Sequence, residues 1–146
     1  MVLKVTKQFI LSKIDEVFPN IGLYRDDGLA VCALSCQEIE DKKKELCNIF
    51  KNMGLAIVSE ANSKVVNFLD ITLNLTTGIF KPYMKENDVP VYVNSKSNHP
   101  PVVLENIPLG VNRRLSRISA NKDVFDHAAP SYQRALQSSG FSHVLK

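Results

Sequence analysis

Val5, Phe9, Ile10, Ile14, Val17 and Phe18 recur at helical spacing, and Pro19-Asn20 close the run. The spacing predicts an amphipathic helix over Val5 to Phe18. The period then changes. Ile21-Gly22-Leu23-Tyr24 and Leu29-Ala30-Val31-Cys32-Ala33 are short apolar runs on either side of Arg25-Asp26-Asp27-Gly28. That pattern predicts a β-hairpin, with Asp-Gly a favoured turn dipeptide. Ser35 and Glu38 form a capping-box signature. Behind them Ile39, Leu46, Ile49, Phe50 and Met53 make one apolar stripe, the polar run Asp41 to Glu45 faces water, and Gly54 stands where a C-cap glycine belongs.

Val65 to Leu75 alternates in part: Val66, Phe68, Ile71, Leu73 and Leu75 are apolar, with Asp70, Thr72 and Asn74 between them. This predicts a strand. Thr76-Thr77-Gly78 is a turn, and Ile79 to Met84 a return strand in which Pro82 favours an edge. Val89 to Val93 reads as a further short strand. Beyond His99-Pro100-Pro101, Leu104 and Ile107 precede Pro108, which suits the start of a helix carrying Val111, Leu115 and Ile118. Asn121 caps another helix through Phe125 and Ala128, Pro130 kinks or restarts it, Tyr132, Ala135 and Leu136 continue it, and Gly140 stops it. The expected fold is α+β: two β-hairpins packed on helices, then a small helical region, with the division at residues 1–97 and 98–146.

Composition narrows the class. A length of 146 residues suits one domain or a fragment of a larger one, and 45% hydrophobic residues argue against wholesale disorder. No apolar run approaches the length of a membrane span, so no membrane partner is expected. Lys4, Lys7 and Lys13 interrupt the N-terminal segment, unlike a signal peptide. The expected location is intracellular, nucleus or cytoplasm. Cys32, Cys36 and Cys47 lack metal-ligand spacing, as do His99, His127 and His143, and read as reduced thiols and scattered imidazoles.

The net charge, 18 − 15 = +3, is mild, but its distribution is not even. Residues 1–100 carry 12 basic and 12 acidic groups, whereas 101–146 carry six basic and three acidic. Arg113 and Arg117 lie one turn apart on a predicted helix and share a face, which suits contact with phosphates or simple solvation.

Asp26 and Asp27 are adjacent carboxylates beside a tight turn. Two ionised carboxylates in one place repel, and a hard divalent cation removes that cost. Mg²⁺, or Mn²⁺ in its place, favours such oxygens together with phosphate and water. The plain alternative is a solvated hairpin turn.

Tyr24-Arg25-Asp26-Asp27, in a predicted hairpin preceded by a predicted helix, resembles the Y-x-D-D motif of reverse transcriptases. Later segments resemble the family in order. Phe50-Lys51-Asn52-Met53-Gly54-Leu55 looks like the end of the palm helix. Phe68-Leu69-Asp70-Ile71-Thr72-Leu73, Gly78 and Lys81-Pro82-Tyr83 look like the primer-grip hairpin. Ser97-Asn98-His99-Pro100-Pro101, Ile107-Pro108 and Ser139-Gly140-Phe141 resemble the thumb-side region in enzymes of eukaryotic mobile elements.

The resemblance implies a partial palm over 1–97 and a helical thumb-like region over 98–146. It implies RNA-directed DNA polymerisation, with an RNA or DNA primer–template and deoxynucleotides as partners. Asp26 and Asp27 would be catalytic metal ligands, Asp26 the main one, with Mg²⁺ as cofactor. Tyr24 would pack beneath the primer terminus, and Arg25 would lie near the nucleic-acid backbone. Phe68 and Leu69 would support the primer grip, a role compatible with core packing. Lys64 would lie near the incoming triphosphate, although a solvated strand-end lysine explains it as well. Arg113 and Arg117 would follow the duplex. The family's site also needs an aspartate and fingers well upstream of the motif, and only 23 residues precede Tyr24. The expectation is therefore a fragment, inactive alone. Two further classes remain: a non-catalytic nucleic-acid-binding remnant and a protein-interaction domain.

Overall fold

The computed structural model describes Val17, residues 21–25, 27–86 and 88–146. The helix expected over Val5 to Phe18 lies outside the described residues except for Val17, which is helical and buried. The chain is α+β, and it divides into two compact units, Met1–Lys64 and Val65–Lys146.

In the first unit, β1 (Ile21–Tyr24) and β2 (Asp27–Ala30) form an antiparallel hairpin. Helix α1 (Cys36–Asn52) follows. Its capping box is complete: the Ser35 hydroxyl accepts from the Glu38 amide at 3.3 Å, and the Ser35 amide donates to Glu38 Oε2 at 2.8 Å. Two otherwise orphaned donors are thereby satisfied. Ile39, Leu46, Ile49, Phe50 and Met53 are all half-buried, as their spacing predicts.

The second unit holds β3 (Val65–Phe68), β4 (Ile71–Asn74) and β5 (Ile79–Pro82), in the order β3-β4-β5. The single strand expected over Val65 to Leu75 is two strands. The apolar alternation runs on even numbers through Val66 and Phe68, then on odd numbers through Ile71 and Leu73. A phase slip of one residue flips side chains to the other face unless the chain turns between the two runs. It turns at Leu69-Asp70, with Phe68 paired to Ile71. Pro82 lies on the edge strand β5, where its missing N–H costs no ladder bond. Val89 to Val93 form no strand; Val89 and Val91 are largely exposed, and Pro90 between them has no amide to donate.

Helix α2 (Pro101–Arg117) begins seven residues before the expected start, with Pro101 in its first turn and Pro108 inside it. The stripe Leu104, Ile107, Val111, Leu115, Ile118 runs through Pro108 without a break, and Pro108 itself is buried. Packing of that face outweighs the lost hydrogen bond to Leu104. Helix α3 (Lys122–Ser138) likewise continues through Pro130; Asn121 caps it by accepting from the Val124 amide at 3.0 Å. Gly140 follows its C-cap at φ +87°, and a Cβ there would collide with the Ser95 side chain.

Leu115, Phe125, Tyr132, Leu136 and Leu145 form the core of this unit, and Leu115 and Leu136 are fully buried. Chain after α3 is stapled across both helices. Gln133 donates to the His143 carbonyl at 2.6 Å and accepts from the Leu145 amide at 2.9 Å. Asn112 makes the same reciprocal pair with Lys146, at 3.0 Å each way. No helix among the described residues is long and apolar enough to cross a membrane.

Candidate functional site

The first hairpin is tighter than its sequence suggested. Strand pairing runs from Ile21↔Ala30 to Tyr24↔Asp27, so the connection is Arg25 and Asp26 alone. Asp27-Gly28, the dipeptide expected in the turn, is already strand. Gly28 has a different reason to be glycine. It faces Leu23, and a Cβ at Gly28 would come within 2.9 Å of Leu23 Cδ2. Arg25 occupies the turn at φ +52°, a conformation an L side chain adopts at a cost. Its guanidinium lies 5.6 Å from the centroid of the Tyr24 ring, within cation–π range. Tyr24, Arg25 and Asp27 are all exposed.

Asp26 lies outside the described residues. Asp27 supplies an exposed carboxylate at the strand end, a hard oxygen donor of the kind Mg²⁺ takes. Among the described residues no three His, Cys, Asp or Glu side chains are grouped to hold a metal ion. Lys64 is exposed immediately before β3.

The second hairpin repeats the device. Leu69 and Asp70 connect β3 to β4, and Leu69 lies at φ +53°. Phe68 is half-buried, whereas Leu69 is 42% exposed. Asp70 is held from two sides. Its carbonyl accepts from the Tyr83 amide at 2.8 Å. Its carboxylate oxygen Oδ2 accepts from Arg114 Nη2 at 2.7 Å and from Arg114 Nε at 3.1 Å. The hydrogen bonds to Asp70 hold the Arg114 pKa above its usual value, against some desolvation. Tyr92 and Tyr132 have raised pKa values, chiefly through burial, and Arg114 offsets part of that rise.

Arg113 and Arg117 are exposed on α2, and neither forms an ion pair among the described residues. Arg114 stands with Arg113 and Arg117 in the basic cluster of the sequence, but its pairing with Asp70 is visible only in the structure. The phase slip at Leu69-Asp70 was a readable sign of the turn, but nothing in the linear pattern paired Asp70 with a residue 44 positions away.

No protein-family model matches the chain, and no match was found among curated proteins or solved structures.

Proposed function

We propose that the chain is the C-terminal palm and thumb portion of a reverse transcriptase of a mobile element, whose intact parent polymerises DNA on an RNA template. The observation that carries the reading is the Tyr-x-Asp-Asp string, with its variable residue and first aspartate forming the two-residue connection of a hairpin. Tyr24 and Asp27, which flank the connection, are both exposed.

In this reading Tyr24 lies beneath the primer terminus, and Arg25, stacked on it, approaches the backbone. Asp26 and Asp27 hold Mg²⁺, with a further aspartate and fingers coming from an upstream part of the parent. The bound metal supplies electrostatic stabilisation where charge develops on the reacting phosphate. Phe68 and Leu69 present the second hairpin to the primer strand, and Arg113 and Arg117 meet duplex phosphates. Lys64 serves the incoming triphosphate. The excess of positive charge beyond residue 100 supports the assignment of duplex contacts to the helical region.

Binding of an RNA–DNA primer–template duplex by the 146-residue chain tests the reading. Affinity should fall steeply with salt, because phosphate contacts release condensed counterions. A protein-interaction domain would show no salt-sensitive duplex binding, and that result would overturn the reading. The same chain with Mg²⁺ should not extend the primer. Extension abolished by Asp26→Asn would overturn the fragment part of the proposal.

A further inference from the structure

Within Val65–Lys146 a groove of about 900 Å³ runs beside α2. Leu69 and Asp70 of the β3–β4 turn, Tyr83, Tyr92, and Ile107 and Gly110 of α2 are among the residues that line it. Arg114 also lines it. The Leu69-Asp70 turn is therefore both the tip of a hairpin and a boundary of this groove.

That tip does not hold its shape for free. Leu69 is a non-glycine residue in the left-handed region, and such a conformation persists only when the surroundings over-determine it. The surroundings here are the Tyr83 amide on the Asp70 carbonyl and the Arg114 fork on the Asp70 carboxylate. Arg114 thus differs from its neighbours on α2. Arg113 and Arg117 have no ion-pair partner among the described residues, while two N–H groups of Arg114 converge on one oxygen of a residue 44 positions earlier. Its charge is also paired with Asp70, which weakens its pull on a phosphate.

We propose that Arg114 is a positioning residue: by clasping Asp70 it anchors the Phe68–Ile71 tip to α2 and fixes how Leu69, which lines the groove, is presented to a nucleic-acid duplex. The statement rests on the proposed function for its ligand, but not for the clasp. The three arginines of α2 then divide the work. Arg113 and Arg117 contribute charge to the duplex, and Arg114 contributes geometry.

The test combines hydrogen exchange with duplex binding, on the full chain and on Arg114→Ala, Asp70→Asn and the swapped pair Arg114→Asp/Asp70→Arg. Both single variants should speed exchange of the Tyr83 amide while leaving the Leu136 amide of the core unchanged. Each should weaken binding of an RNA–DNA duplex about fivefold, the scale of one modest ion pair. Neither should alter the log–log salt slope, because no phosphate contact is lost. The swapped pair should recover Tyr83 protection. A slope reduced by about one in Arg114→Ala, with Tyr83 exchange unchanged, would make Arg114 a phosphate ligand and overturn the proposal. Tighter duplex binding by Asp70→Asn would also overturn it. If the unaltered chain binds no duplex, the proposed function falls, and exchange at Tyr83 alone decides whether the clasp positions the tip.

Discussion

Tyr24 and Asp27 are cross-strand partners, joined by Arg25 and Asp26 alone. Because the turn places Arg25 at φ +52°, a residue that accepts the left-handed region should relieve the hairpin. Arg25→Asn is expected to raise stability by up to about 1 kcal/mol, the lower end of the left-handed cost for an L residue. Chemical denaturation of the two proteins measures it. A clear loss of stability would mean that the Arg25–Tyr24 contact outweighs the backbone strain.

Acid should weaken α1 at its start. The Ser35 hydroxyl and amide lower the Glu38 pKa below its usual 4.5, so the folded state prefers the carboxylate. A lowered pKa gives stabilisation that is present above pH 4.5 and is lost as pH falls through the lowered value. Ser35→Ala should therefore be less helical than the unaltered chain at neutral pH, and the difference should shrink in acid. Circular dichroism across that range reads it; a difference independent of pH would separate the cap from Glu38 ionisation.

Alkali should act on Val65–Lys146. Burial raises the pKa of both Tyr92 and Tyr132 above 10.0. With the folded values raised, stability is intact below pH 10 and falls as pH climbs from there toward the folded values. Tyr132→Phe should flatten this decline, measured as denaturation midpoint against pH. An unchanged decline would place the sensitive group elsewhere.

Removing Arg113 and Arg117 together should weaken duplexes of different sequence by a similar factor, since phosphate contacts position without reading bases. The log–log salt slope should fall by about two for two lost contacts. Unchanged affinity and slope would assign both arginines to a solvated face.

Much of the helical framework was legible because its signals are local. Ser35 and Glu38 marked the start of α1, Asn121 marked the start of α3, and the stripe from Leu104 to Ile118 already ran across Pro108. The start of α2 lies seven residues before Pro108 because burial of the stripe on both sides of that proline outweighs its preference for a helix start. The tight connections were harder to see. Asp27-Gly28 has the composition of a turn but is held in β2 by its partners Tyr24 and Leu23. Leu69 is an unusual turn residue, and only the slip in alternation announces it. The Arg114–Asp70 clasp depends on folding distant segments together, which no spacing rule encodes.

Paramagnetic broadening by Mn²⁺ tests the proposed divalent-cation site at the Tyr24–Asp27 tip. With an RNA–DNA primer–template and a deoxynucleoside triphosphate present, Mn²⁺ should selectively broaden the amide resonances of residues 24–28. Asp26→Asn/Asp27→Asn should remove that broadening while leaving the fold's other resonances in place. Broadening that spreads over the acidic surface, or that survives in the double variant, would contradict a metal site at this hairpin.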